Sequence, residues 1–328
     1  MRKETKLLIS KYNEELEFLE RTVETRKSRI TRISSVLSFF GNKRLKDITL
    51  RDAKDLRDAL YFLPSNYKKL SYFNGMTFKE ACRENRNLGR RGYKVISKLT
   101  VEGYISALRA FFDFLISEGL VERNPFENIK LKRKDLTQPN QRCDAFEHDE
   151  LVKIFDYISS NYTPKHGFKF WLPYLLRYSG ARLKELLQLE SSDITKKDGV
   201  VCICIYPNEY KTLSSGRLIP VHPELIKMGF IEFVLSKNGR LFEDAICDGR
   251  AISYKASKWS SYWRAKLGFG KGKNLISFRH TFINDLKICG VDLELRAQLA
   301  GHSINTTADV YSKDYPMSIA YESICLIN

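Results

Sequence analysis

One stretch divides this chain into two different patterns. Lys130-Leu131-Lys132-Arg133-Lys134-Asp135-Leu136-Thr137-Gln138-Pro139-Asn140 is basic, polar and interrupted by proline, with no apolar position repeating at helical or strand spacing. A segment of that composition has no face to bury and reads as a linker over 131–143. The 328 residues leave enough chain on each side for a domain with its own core. Residues 1–130 and 144–328 are therefore expected to fold separately.

The first part is helical in pattern. Apolar residues recur at helical spacing over 5–22 (Leu16, Phe18, Leu19) and 25–40 (Ile30, Ile33, Val36, Leu37, Phe40). Thr49 is placed to cap a helix through Ala53, Leu56 and Leu60 that stops near Pro64. The clearest helix runs from Val101 to Ser117 behind Thr100, with Tyr104, Leu108, Phe111, Phe112 and Leu115 on one face, and Gly119 ends it. Residues 64–99 read as an irregular loop.

The second part mixes periods. Helical patterns at 147–160 and 169–189 precede strand-like runs at 199–206 and 217–221, joined by a hairpin loop. Helical patterns return at 223–236, 253–266, 279–288 and 292–300, and 315–326 carries one apolar helical face. The expected fold is mainly α with a small antiparallel β-sheet in the second domain.

Charge narrows the partner. The formal net charge is +16, which favours an anionic polymer. Residues 1–143 hold 31 Lys and Arg against 18 Asp and Glu, whereas 144–328 hold 24 against 21. Most of the grip thus lies in the first domain. Its loop 64–99 interleaves Arg83, Arg86, Arg90, Arg91, Lys94 and Lys98 with tyrosines, and Lys132, Arg133 and Lys134 continue the basic character into the linker. These nine cations are expected to meet a DNA backbone. No run is apolar over the ~20 residues of a membrane span, and Met1-Arg2-Lys3-Glu4 opens no signal core. The seven scattered cysteines form no disulfide framework, and Cys202-Ile203-Cys204 has no second ligand pair for zinc. These features place the chain in the cytoplasm, with the nucleoid, and call for no metal.

The chemistry lies in three short motifs: Gly180-Ala181-Arg182-Leu183-Lys184-Glu185, then Ser277-Phe278-Arg279-His280, then Gly301-His302 with Tyr311 nine residues further on. Two guanidiniums suit the nonbridging oxygens of a phosphodiester, whose negative charge grows during substitution at phosphorus. Gly301 permits a sharp turn that brings backbone close to that phosphate. Tyr311 supplies a phenol able to attack, provided a cationic pocket and a proton acceptor lower the cost of ionising it.

In this order and spacing the motifs resemble the catalytic core of the tyrosine recombinases, the phage-integrase family. Residues 144–328 resemble the catalytic domain, and 1–130 more loosely the helical core-binding (SAM-like) domain. The resemblance implies a C-shaped clamp on double-stranded DNA, with Arg182 and Arg279 gripping the scissile phosphate and His302 hydrogen-bonding it. Tyr311 would be the nucleophile, and Lys211, on the hairpin, the general acid for the 5′ oxygen; Arg217 is the alternative cation there. Glu185 would orient Arg182, and His280 would support from behind. The resemblance further implies cutting and rejoining through a 3′-phosphotyrosyl link without cofactor, by a protein monomeric when free and tetrameric in the synapse. It implies as well an accessory DNA-bending or directionality factor, with integration or excision of a mobile element as the setting. The first helices begin at once, which implies a simple site with few accessory sequences. The C-terminal tail would dock either on its own core or on a neighbour.

One position departs from the family. Where it usually carries a histidine, three residues before the second arginine, this chain has Ile276. Isoleucine moves no proton, so His302 becomes the leading acceptor. Two other readings stay open: a type IB topoisomerase-like enzyme using the same chemistry without synapsis, and a non-catalytic DNA-binding accessory protein with a degenerate site.

Overall fold

The computed structural model describes residues 2–132, 144–206, 216–270, 272–302 and 314–327. It divides into two compact units, Met1–Leu136 and Thr137–Asn328, each with its own core.

The first unit is built from α1 (Lys3–Phe18), α2 (Val23–Leu37), α3 (Leu50–Leu60), α4 (Phe78–Asn87) and α5 (Lys98–Ser117). Its core gathers Ile9, Tyr12 and Leu16 from α1, Ile33 and Val36 from α2, and Leu56 and Leu60 from α3. These pack around α5, which buries Val101, Ile105, Leu108, Phe111, Phe112 and Leu115. The α3 cap is as expected: Thr49 accepts from the Asp52 backbone while the Asp52 carboxylate takes the Thr49 N–H. The start of α5 is not; Ser97, three residues ahead of Thr100, accepts from the Thr100 N–H.

Residues 64–99 are more ordered than a loop. Thr77 and Glu80 cap α4 reciprocally, and the buried Asn85 side chain donates to the Phe62 and Tyr93 carbonyls while accepting from the Tyr93 N–H. That amide ties the segment to the end of α3. The chain leaving this unit is also held: Arg57 donates to the Lys130 carbonyl, the Lys132 N–H donates to the Tyr61 hydroxyl, and the Lys132 ammonium sits 4.6 Å from the Tyr61 ring.

The second unit wraps helices around α7 (Phe168–Ser179), which buries Phe168, Phe170, Trp171, Leu172, Leu175 and Leu176 and is buried almost all round. Gly180, at φ 60°, stops it and the chain restarts as α8 (Leu183–Leu187), so the continuous pattern at 169–189 is two helices. A Cβ at Gly180 would lie 2.2 Å from the Phe282 ring, so the position requires glycine for space as well as for backbone. Before α7 comes α6 (His148–Asn161).

The sheet has three antiparallel strands in the order β1 (Ile194–Lys197), β2 (Val200–Ile205) and β3 (Arg217–Pro220). In register, Lys197 faces Val200 and Ile205 faces Arg217. The pattern had not shown β1. A two-residue turn at Asp198 (φ 50°) and Gly199 (φ 83°) closes it onto β2, as Asp-Gly turns do. Cys202 is buried with its sulfur 3.8 Å from that of Met317.

The remaining helices are α9 (Pro223–Lys227), α10 (Phe230–Leu235), α11 (Tyr254–Lys266), α12 (Leu275–Ile288), α13 (Leu293–Ala300) and α14 (Met317–Ile324). α12 lies along α7, where the buried Arg177 of α7 pairs with Asp285 at 2.8 Å. The tail docks on its own unit: α14 buries Met317, Ala320 and Ile324, and the His222 ring, stacked 4.3 Å from Tyr178, bonds the Ile327 carbonyl at 3.0 Å. Among the described residues, no helix is long and apolar enough to cross a membrane, and no group of side chains could hold a metal.

Candidate functional site

Three arginines distant in sequence converge where α7 gives way to α8, α12 passes behind and α13 ends. Arg182 is the residue before α8, with extended backbone. Its N–H donates to Glu185 Oε2 and its Nη1 to Glu185 Oε1, both at 2.8 Å, while Nη2 donates to the Gly301 carbonyl at 2.8 Å. The side chain is 37 % exposed, so it is anchored on one side and open on the other.

Arg279 enters from α12. The helix starts at Leu275, capped by Asn274, so Arg279 stands in its second turn and not at its start as the pattern suggested. It is 7 % exposed. Nη1 donates to the Gly180 carbonyl at 2.6 Å, and Nη2 is buried with no hydrogen-bond partner among the described residues. Burial, then the charges of Arg182 and Arg217, lower its pKa to about 9. It stays protonated at neutral pH, with a buried donor that meets no acceptor among the described residues. Such a group is costly unless an anion meets it.

Arg217 opens β3. The sequence left it as a second-choice cation on the hairpin, but its side chain is 3 % exposed and faces inward. Nε donates to the Leu299 carbonyl at 2.8 Å and Nη2 to Glu185 Oε2 at 2.9 Å. It cannot reach out to a leaving group. Glu185, 6 % exposed, is the acid between the arginines. Burial alone would raise its pKa, but bonds and charge from Arg217, and then bonds from Arg182, hold it at about 2. One buried carboxylate thus faces three guanidiniums.

His302 follows the end of α13. Gly301 adopts the left-handed conformation (φ 66°, ψ 52°), its N–H bonding Gln298 and that of His302 bonding Ala297, the usual glycine-terminated helix end. His302 is exposed at the edge of the cluster, and its imidazole is pushed down to about 4, by partial burial first and then by Arg279, Arg182, Arg217 and His280. It is neutral at physiological pH and can accept a proton.

His280 and Ile276 lie one turn apart on the exposed side of α12, with Ile276 53 % exposed. His280 points away from the buried Arg279, yet its charge is felt at His302. Tyr311 and Lys211 lie outside the described residues, as do Arg133 and Lys134. Of the other expected DNA contacts, Arg83 and Arg86 are exposed on α4, Arg90, Arg91 and Lys94 are exposed just after it, Lys132 is exposed, and Lys98 is half-buried. Arg86 also lies 5.2 Å from the Phe62 ring. Arg217 is the site residue whose place the sequence reading missed. Its inward direction, alternating with Leu218, becomes visible only once β3 is placed in the sheet.

Comparison with known proteins gives the same family resemblance as the motifs. No family model matches the chain. The chain is 26 % identical over 222 residues to a protein named tyrosine recombinase XerC from Alcanivorax borkumensis, covering 65 % of this chain and 68 % of that protein. A tyrosine recombinase of Pseudothermotoga lettingae is 24 % identical over 280 residues, 82 % of this chain and 88 % of the relative. Among solved structures, a lambda integrase dimer bound to a core site superposes with a TM-score of 0.63 at 14 % identity, covering 94 % of this chain and 76 % of that one. The Tn1549 transposon integrase bound to circular-intermediate DNA superposes at 0.58 and 18 % identity, covering 96 % and 98 %. The mainly helical fold with its small antiparallel sheet is the tyrosine recombinase fold.

Proposed function

We infer that this chain is a site-specific tyrosine recombinase that cuts and rejoins double-stranded DNA through a 3′-phosphotyrosyl intermediate. The observation that carries the reading is the cationic cluster in which Arg182 and Arg217 share the buried Glu185 carboxylate and the enclosed Arg279 feels both their charges, its Nη2 meeting no acceptor among the described residues. A scissile phosphate between Arg182 and Arg279 would supply the missing acceptor and balance the charge. Charge developing on the nonbridging oxygens then meets donors already in place.

In the proposed step the Tyr311 oxygen bonds to phosphorus and the P–O5′ bond breaks. The phenolic proton passes to His302, and Lys211 protonates the leaving 5′ oxygen. Substrate binding tunes the acceptor. The arginines depress the His302 pKa, and a bound phosphate offsets their charge, so the ring becomes more basic when a base is needed. Attack by a 5′-hydroxyl reverses the step, and because the phosphotyrosyl bond conserves the energy of the original, rejoining needs no nucleotide. Exchange of both strand pairs uses two duplexes and four protomers, with the first unit's basic surface holding the flanking backbone. The transposon and phage integrases among the fold relatives support a setting in integration or excision of a mobile element.

The test incubates the protein with a duplex library nicked to trap cleavage and looks for SDS-resistant adducts. Adducts are expected from the natural protein and none from Tyr311→Phe, and sequencing trapped DNA gives the site. Adducts that persist in Tyr311→Phe would remove the proposed nucleophile. Tight binding to a proven site with no adduct would leave only a DNA-binding protein.

A further inference from the structure

We propose that Arg217, at the start of β3, is a positioning residue for the phosphate grip: it holds Glu185 and the end of α13 together and leaves the charge of Arg182 available to the substrate. This rests on the recombinase reading above.

The argument begins with connectivity. Arg217 bonds the Leu299 carbonyl and Glu185, Glu185 bonds Arg182, and Arg182 bonds the Gly301 carbonyl. These contacts close a ring through α8, β3 and the turn that ends α13. Two arginines therefore tie the same turn, two residues apart, and that turn sets the direction of His302. The packing is close: a Cβ on Gly301 would lie 2.6 Å from Arg217 Nη1. Glycine here serves the turn and also makes room for the guanidinium.

Charge gives the second half of the argument. Glu185 aligns Arg182, but a carboxylate with Arg182 as its only cation would also cancel much of the charge meant for the phosphate. Arg217 supplies a second, buried cation on Oε2. Glu185 can then align Arg182 without neutralising the site. A fork is required because the contacts, at 2.8 and 2.9 Å, run to acceptors on different elements; an ammonium serves one of them as a point charge. The role differs from that of Arg182 and Arg279, since Arg217 is enclosed and meets no substrate atom.

The test uses the full chain and the trapping duplex, comparing Arg217→Gln, Arg217→Lys and the double variant Arg217→Gln with Glu185→Gln. At saturating DNA, Arg217→Gln should form adduct at least tenfold more slowly, with its Kd for DNA within threefold of the natural protein. Arg217→Lys should fall between. Removing the unbalanced carboxylate should make the double variant at least fivefold faster than Arg217→Gln, a rescue that simple loss of packing would not give. Cleavage by Arg217→Gln within threefold of the natural rate overturns the proposal, and so does a double variant no faster than the single one. If Arg217→Gln does not fold, by circular dichroism, Arg217→Lys decides alone: cleavage at least threefold slower at unchanged Kd supports the role, and cleavage within threefold of the natural rate overturns it. A second readout needs no cleavage. Inorganic phosphate is titrated while the His302 ring signals are followed by NMR; Arg217→Gln should weaken phosphate binding at least threefold and the double variant should restore it, while equal binding in all three overturns the proposal. A natural protein that forms no adduct defeats the recombinase reading, and the phosphate titration still decides Arg217.

Discussion

The molecule holds its positive charge in two opposite ways. On α4 and the turn after it, Arg83, Arg86, Arg90, Arg91 and Lys94 stand exposed in water. In the second unit, Arg217 and Arg279 are almost wholly enclosed, with Arg182 half open beside them. The first region has many charges of small individual effect, because solvent and salt screen each one. The second has few, but each acts where water cannot screen it and where geometry is fixed by carbonyls at 180, 299 and 301. Counting lysines and arginines would assign function to the first unit. Burial singles out the second.

The strongest way to break this contrast is to disturb one buried arginine. Arg279→Lys keeps the charge but loses the fork that bonds Gly180 and presents Nη2. Adduct formation on the trapping duplex should fall by ~10²–10³-fold, the range for removing one preorganised donor from a developing oxyanion, with DNA affinity nearly intact. A fall of less than about fivefold would mean that charge alone suffices and that the enclosed geometry matters little.

A smaller effect is expected from far more charge. Changing Arg83, Arg86, Arg90 and Arg91 to glutamine together removes four cations from the exposed surface. Each that meets a phosphate should flatten the dependence of log K on log salt by ~0.9, so Kd measured across a salt series should lose up to about three to four units of slope. The rate of adduct formation at saturating DNA should fall far less than the affinity does. An unchanged slope would show that this surface does not lie on the backbone.

The same contrast explains what the sequence disclosed. Surface and core patterns are readable where one residue carries one message: Thr49 as a cap, the apolar face of α5 and the sharp turn at Gly301, whereas the stop at Gly180 is hidden inside the continuous helical pattern at 169–189. That Glu185 orients Arg182 is what the family resemblance implies, and the 2.8 Å contact between them is what the structure adds. α4 was passed over because its polar residues outnumber the apolar ones, although Thr77 and Glu80 stand at capping-box spacing. β1 was missed because it is only four residues long and mostly exposed; Asp198-Gly199 was its signal. The role of Arg217 was not legible. It bonds a carboxylate and a backbone carbonyl 32 and 82 residues away, and an arginine beside a hairpin loop looks like surface until the strand's inward face is known.

The finest test of the comparison concerns a position belonging to neither region. Ile276 is an exposed apolar residue one turn before His280 and three residues before Arg279. An exposed isoleucine gains little from burial, so replacing it costs little stability. In Ile276→His the new ring would stand at the open edge of the arginine cluster and provide a second proton acceptor beside His302. Only its neutral form accepts, and the arginines lower its pKa from the usual ~6.5. The gain in adduct formation should therefore be a few-fold at neutral pH and should shrink as the pH falls through that pKa, leaving the rate that His302 carries alone. The measurement is single-turnover adduct formation from pH 5 to 8 for both proteins. A gain that is constant with pH would show that the substitution acts by packing and not by moving a proton. No gain at any pH would mean that His302 alone already removes the tyrosine proton as fast as the phosphate grip allows, placing the limit on the arginines.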